Sequence, residues 1–270
     1  MDKRKFKRPY KHSRFASRKD YSQRKFLGAA LVGMPDNLYS TSRILDQGDT
    51  ATCTAQASVA IRESMMAGKQ YDPWRQWDAT LRFMGVDDAS GADLKTALAV
   101  CVKTGFFEPG KADPSDRATA YFFVRKRLGE DWFDAVRNRI FLLYQKYGIV
   151  IPLSLGVNWY RDWDHAPEGI VPDSGKDLLG GHDIKIAGFV KKAGTDYVVI
   201  QNSWGEGFGE KGLFFASRAV FNKWFDVFGA GYIVDDPELE KTQYGFVAAL
   251  LQNIVSLYQS LIQKLGKMVK

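Results

Sequence analysis

The chain has 270 residues, 45% of them hydrophobic and 26% charged, with a formal charge of +7; that is apolar content enough for the core of one large domain plus extensions. Two cysteines cannot make a disulfide framework if one of them is a nucleophile, and no stretch of about 20 uninterrupted apolar residues is available to span a bilayer. The positive charge is local: residues 1–26 hold eleven Lys/Arg against Asp2 and Asp20, a net +9 that leaves −2 for the remainder.

In chain order, residues 1–34 are a basic, aromatic-dotted arm, short of aliphatic residues until Leu27 to Gly33. Residues 1–26 read either as a solvated tail or as an arm for an acidic surface or nucleic acid. No apolar signal-peptide core follows the basic start. A reducing compartment is therefore expected, cytoplasmic or virion-associated if a particle carries the protein. Pro35 to Leu45 leads, with a short strand, into Asp46-Gln47-Gly48-Asp49-Thr50-Ala51-Thr52-Cys53-Thr54-Ala55-Gln56-Ala57. Behind Cys53, Ala55, Ala57, Val59, Ala60, Ile61 and Met65 recur at the spacing of a buried helix, with Thr52 as candidate N-cap. A cysteine in the first turn of a helix feels the positive end of the dipole. Its pKa then falls from about 8.5 to roughly 3.5–7.5 when a cationic partner is also near, which makes a nucleophile at neutral pH.

Tyr71-Asp72-Pro73-Trp74 breaks the chain, after which Trp77, Leu81, Phe83 and Met84 suggest further core. Ser90 to Val102 reads as a turn and a helix with Leu94, Ala97, Leu98, Cys101 and Val102 on one face, Cys101 being a buried apolar residue. Residues 131–147 form a periodic helix built on Trp132, Phe133, Val136, Ile140, Leu143 and Tyr144; Gly148 ends it, and Ile149 to Leu155 begins a strand-rich part. Asn158 to Leu179 reads as a long loop. Gly180 to Phe189 alternates as a strand after a glycine turn, and Tyr197 to Ile200 is a second strand beside it, leading into Gln201-Asn202-Ser203-Trp204-Gly205. Two neighbouring strands would set His182 and Asn202 side by side. Of the three histidines, His12 lies in the arm and nothing places His165 near Cys53, so His182 is the candidate partner of the thiolate. The tail 237–270 spaces Val247, Leu251, Ile254, Tyr258, Leu261, Leu265 and Met268 as one apolar stripe, an amphipathic helix for docking on the body or for an assembly partner.

The order Asp-Gln-Gly-x-x-x-x-Cys, then Gly-Gly-His opening a strand, then Asn-Ser-Trp-Gly-x-x-x-Gly-x-x-Gly resembles the papain family of cysteine peptidases over roughly Pro35 to Asp235, and the Thr-Cys-Thr-Ala-Gln-Ala wording is similar to its compact bacterial, xylellain-like group. The resemblance implies an α+β, two-lobe domain over 35–236. A helical lobe would carry the nucleophile helix and an antiparallel, β-barrel-like lobe His182 and Asn202. It implies peptide hydrolysis through a Cys53 thioester, with His182 as acid and base and Asn202 orienting its ring. Trp204 would shield that bond, and the Gln47 amide with the Cys53 N–H would hold the oxyanion; no metal or organic cofactor is required. Gly91 matches the glycine whose backbone pairs with substrate, although a glycine needed only for a turn reads equally well. Asp183, where the family has a small apolar residue, would put a partly solvated carboxylate in the wall of a substrate pocket, unless it turns aside to Lys185 or a loop amide. The arm would then also read as a prosegment. The alternative is a papain-fold structural or binding subunit of a larger assembly such as a phage particle, with the peptidase site vestigial or secondary.

Overall fold

The computed structural model describes residues 33–225 and 227–235. The basic arm up to residue 32 and the amphipathic helix expected over 237–270 lie outside the described residues. Among the described residues, seven strands and five helices follow in the order β1 (Leu38–Tyr39), α1 (Cys53–Met65), α2 (Pro73–Met84), α3 (Leu94–Lys103), β2 (Ala120–Phe123), α4 (Trp132–Tyr147), β3 (Leu153–Tyr160), β4 (Leu178–Lys192), β5 (Thr195–Gln201), β6 (Leu213–Ser217), α5 (Arg218–Trp224) and β7 (Val227–Val234). The strands make one antiparallel sheet, β2-β7-β3-β4-β5-β6, with β1 added on β4.

Two apolar clusters divide the molecule. Leu153, Leu155, Val157 and Trp159 of β3 join Ile184 and Ile186 of β4 and Phe133, Val136 and Ile140 of α4 in the first. Val59 and Ile61 of α1 meet Leu94, Leu98 and Cys101 of α3 in the second. Alternation along β3 and β4 sends the apolar set to one face and Ser154, Asp183 and Lys185 to the other, where the Lys185 ammonium reaches Ser64 of α1. The central helix therefore has sheet on one side and helices on another, and every residue from Cys53 to Glu63 is buried.

Strand β4 is long enough for β3 to pair along its first half and β1 beyond it. Gly188 makes that exchange possible. Its φ is +152°, and a Cβ there would stand 2.0 Å from the Leu38 carbonyl oxygen, so any side chain would push β1 off the sheet.

Four helices begin with a side-chain cap: Asp72 accepts from Trp74 N (2.9 Å), Asp93 from Thr96 N (2.9 Å), Asp131 from Asp134 N (2.8 Å) and Ser217 from Val220 N (3.4 Å). The fifth, α1, does not. Thr52 holds the expected cap position, but its hydroxyl turns to Thr50 Oγ1 (2.9 Å) and Gln56 Nε2 (3.3 Å) and does not cap the turn that starts at Cys53.

Sequence periodicity misplaced two features. Phe83, expected in the core, is exposed: it keeps helical spacing with Gln76 and Thr80 but falls in the last turn of α2, just before the cap Gly85 and beyond the buried residues Pro73 to Thr80; Lys103 Nζ lies over its ring at 5.4 Å. The stretch expected as a long loop from Asn158 is strand through Tyr160 and then two single 3-10 turns, Arg161–Trp163 and Pro167–Gly169.

Arg62 of α1 is the strongest polar tie between the parts. Its guanidinium, 2% exposed, bonds Asp116 (Nε–Oδ2 2.7 Å) and, past the end of β7, Asp235 (2.7 and 2.9 Å), while Tyr71 also donates to Asp116. Breaking a buried pair by removing one partner costs about 3–5 kcal/mol. Arg62→Met is expected to lose stability on that scale in urea unfolding, whereas loss of the exposed pair Lys223–Asp173, by Lys223→Met, is expected to leave the unfolding midpoint nearly unchanged.

Candidate active site

The site is built where the start of α1 meets the ends of β4 and β5. Cys53 is the first residue of α1 and is 4% exposed. His182 lies on β4, opposite Val157 of β3. The β4–β5 register ends at Lys185 opposite Gln201, so Asn202 leaves β5 alongside the first residues of β4, and its Oδ1 stands 2.7 Å from His182 Nε2. The same Oδ1 accepts the Ser203 backbone N–H at 2.8 Å. An oxygen already facing one donor fixes the amide's orientation, so His182 Nε2 must carry a hydrogen and Nδ1 is left as the basic nitrogen. Trp204 stacks on the imidazole at 4.7 Å and 20°.

Gln47 is joined to the same strand end. Its backbone N–H donates to Ser203 O (2.8 Å) and its Oε1 accepts from Ser203 Oγ (2.6 Å). Its Nε2 donates to Thr50 O (2.8 Å). Oε1 and one N–H are thus committed, which leaves the second N–H of the amide as a donor of fixed direction. Asp46 pairs with Trp204 in an isolated bridge. The loop ahead of Cys53 and the loop that carries Asn202 and Trp204 are therefore one hydrogen-bonded unit, and Ser203 and Thr50, which motif reading passed over, are the residues that hold Gln47 in it. The signal for Ser203 was present, since it stands inside the Asn-Ser-Trp motif.

Burial dominates the electrostatics. Loss of water holds the His182 pKa down to about 4, with the bond to Asn202 pulling the other way. Cys101, fully buried in α3, has its thiol pushed up to about 12 by burial, which makes it unreactive.

Asp183 departs from the expectation for it. The carboxyl is 4% exposed and accepts the Ser154 hydroxyl at 2.8 and 2.9 Å. The solvated pocket charge is absent, and so is a bond to Lys185, whose ammonium goes to Gln201 Oε1 at 2.8 Å. Adjacent residues of a strand face opposite ways, so with His182 towards the aromatic cluster Asp183 points to α1 and α3. Gly91 stands half-buried in the loop before α3, with φ +141°. His165 is exposed and stacks on Phe208 at 5.7 Å, and Phe208 meets Trp204 edge-on at 5.8 Å. Among the described residues no group of three or more His, Cys, Asp or Glu is gathered to hold a metal, and no helix is long and apolar enough to cross a membrane.

A cysteine at a helix start is thus joined through a glutamine loop to a His–Asn pair on neighbouring strands of a second lobe, and the comparisons with known proteins match the same region and fold. A family model described as papain family cysteine protease matches residues 143–225, the part carrying His182 and Asn202. Curated relatives include cathepsin B-like cysteine proteinase 3 of Caenorhabditis elegans, 41% identical over 69 residues (26% of this chain, 19% of that protein), and cathepsin B-like cysteine proteinase 1 of Haemonchus contortus, 34% identical over 116 residues (43% and 34%). The first two relatives are spanned over only 19% and 41% of their own length. Among solved structures, xylellain, a cysteine protease from Xylella fastidiosa, superposes with a TM-score of 0.57 at 19% identity over 80% of this chain and 91% of that one, and digestive procathepsin L 3 of Tenebrio molitor with 0.54 at 16% over 76% and 72%. The family model matches the part of the chain that carries His182 and Asn202, and the superpositions show a papain-like fold.

Two buried groups set opposite pH slopes. The Asp183 carboxyl rises from 3.8 to about 7 on folding, by burial against the opposing bonds from Ser154 and backbone N–H groups. Between those values the folded state keeps a proton that the unfolded chain has lost, so this contribution is whole below 3.8 and fades as pH rises through 7. His182, held at about 4 against 6.5, binds fewer protons when folded, and its contribution is lost as pH falls through that window. Asp183→Asn keeps an acceptor for Ser154 and removes only the first slope. Relative to wild type it is expected to gain up to about 4 kcal/mol between pH 4 and pH 8, the equivalent of three pKa units, measured by urea unfolding across that range.

Proposed function

We propose that the protein is a cysteine peptidase that hydrolyses peptide bonds in a peptide or protein substrate through a thioester on Cys53. The observation that carries this reading is the orientation of His182: Nε2 is tied to Asn202, the ring is stacked on Trp204, and Nδ1 is left for a thiol. In the proposed first step the Cys53 thiolate bonds to the substrate carbonyl carbon, and the carbonyl π electrons move to oxygen. The second N–H of the Gln47 amide and the Cys53 backbone N–H, at the start of α1, are the donors for that oxyanion. As the C–N bond breaks, the imidazolium gives its Nδ1 proton to the leaving amine. Water then gives a proton to Nδ1 and attacks the thioester, releasing the acid and restoring the thiolate. Asn202, Trp204 and Gln47 act in this scheme by holding orientation, and Gly91 is the backbone against which substrate would pair.

Burial alone keeps His182 neutral at pH 7, so the imidazolium exists only if the thiolate's charge sustains it, and the two groups would titrate as a pair. Alkylation of Cys53 by iodoacetamide is expected to stay fast down to about pH 5. A profile that follows an ordinary thiol refutes the pair. Cys101 should remain unlabelled until unfolding. Labelling by an epoxide or vinyl-sulfone thiol inhibitor should vanish in Cys53→Ala, and Gln47→Ala should lower kcat by about 10²–10³.

For the segments outside the described residues, the proposals are a salt-sensitive contact of residues 1–26 with an acidic surface or nucleic acid, or a prosegment role, and an assembly contact of the C-terminal stripe in a reducing compartment or a particle. Deleting residues 1–26 distinguishes the first two, since loss of polyanion binding supports the arm and a rise in activity supports the prosegment.

A further inference from the structure

The His182 ring has a second set of neighbours besides Asn202 and Trp204. Trp159 is fully buried on β3, two residues beyond Val157, which pairs with His182 in the sheet. It therefore meets His182 diagonally on the same face. Its ring stands edge-on to the imidazole at 5.8 Å and 78° and edge-on to Trp204 at 5.3 Å and 87°. Its indole N–H donates to Asp164 Oδ1 at 3.0 Å. Asp164 is 5% exposed. Through its main chain it also accepts the Gly209 N–H at 3.4 Å, and Gly209 belongs to the loop that begins with Trp204. One residue thus holds the indole by its side chain and the Trp204 loop by its backbone.

A buried carboxyl is a costly way to fill space. An aliphatic side chain would pack the site without desolvating a polar group, and burial indeed drives the Asp164 pKa upward. What the carboxyl supplies that an aliphatic group cannot is a direction for the indole. Direction matters here because the χ2 torsion of histidine is broad and two-fold, without deep staggered wells. The bond to Asn202 pins one atom of the ring and the stack on Trp204 sets its plane, yet a ring held at one atom against a flat face can still slide across that face. A perpendicular edge, fixed in place, removes that freedom.

We propose that Trp159 and Asp164 are a positioning pair for the His182 imidazole, with Asp164 orienting the indole whose edge holds the ring over Trp204. The inference rests on the reading of His182 as the acid and base of a peptidase.

The test uses the full chain with Trp159→Phe, which keeps a ring and loses the N–H, Asp164→Leu, which keeps bulk and loses the acceptor, and Asp164→Asn, whose Oδ1 still accepts. Three quantities are read: kcat and KM on a peptide substrate per alkylatable Cys53, the pH profile of Cys53 alkylation, and the NMR signals of the His182 ring. A misplacement of about 1 Å costs on the order of 10² in rate. Trp159→Phe and Asp164→Leu are expected to lower kcat by about 10-fold to 10²-fold with KM within about twofold, since only interactions realised in the transition state are lost. They should also weaken Cys53 alkylation near pH 6 and shift or broaden the His182 signals. Asp164→Asn should restore all three to near wild type. If kcat per thiol, the alkylation profile and the ring signals are unchanged in both disruptive variants, or if Asp164→Asn is as impaired as Asp164→Leu, the pair has no positioning role. Should the wild type neither turn over peptide nor show a reactive Cys53, the peptidase reading fails, and the ring signals still decide whether Trp159 and Asp164 hold the imidazole. If either disruptive variant fails to fold, the remaining one and Asp164→Asn give the same comparison.

Discussion

Burying α1 on all sides is the constraint from which the rest of the structure follows. A helix enclosed by sheet and by other helices is expected to be apolar all round, yet α1 carries Gln56, Ser58, Arg62, Glu63 and Ser64. Each charged group on it brings a distant segment to satisfy it. Arg62 draws in Asp116 and Asp235, Glu63 takes Arg43 and the Tyr71 backbone N–H, and Ser64 meets Lys185 of β4. These ties fix where the helix starts relative to the sheet, and the start of the helix is Cys53. Cys53 is located by polar contacts along the later turns of its own helix.

The other half of the site is located by aromatic packing. Trp159, Trp204, Phe208, Trp163 and Phe214 form a continuous set of edge and face contacts around His182. Such contacts have preferred angles and bury large areas, so they hold an imidazole more firmly than an aliphatic lining would. They also exclude water, and that exclusion is what lowers the basicity of His182. Firm placement and lowered basicity are two results of one packing decision.

The same sheet keeps its polar residues on the side away from that cluster. Ser154, Asp183 and Lys185 lie between β3, β4 and α1, and each side chain finds a neutral partner. Asp183 and Lys185 are both fully buried, and burial drives their pKa values in opposite directions, each towards its neutral form. The seam between the lobes is thus joined by hydrogen bonds at positions where ion pairs would have been dearer to desolvate.

Local sequence determined the elements that have a local cause. The turn before Cys53, the helix after it, the capping aspartates at Asp72, Asp93 and Asp131, the strand that opens with Gly180-Gly181-His182 and the Asn-Ser-Trp-Gly loop are all set by spacing and by residues within a few positions of one another. Even the meeting of His182 with Asn202 was legible, because two strands joined by a short turn can pair in few ways. What only the tertiary structure decided are contacts whose partners are far apart in the chain. Thr52 looked like an N-cap from its position, but Thr50 and Gln56 compete for its hydroxyl. Asp183 read as a pocket charge, while its hydrogen-bond partner Ser154 is 29 positions away and the parity of the strand turns it inward. Trp159 read as part of a loop, and its burial depends on β4, β6 and the Trp204 loop closing around it. Periodicity states which residues share a face; it carries no information on which face of another element they will meet, because that is fixed by the packing of the whole chain.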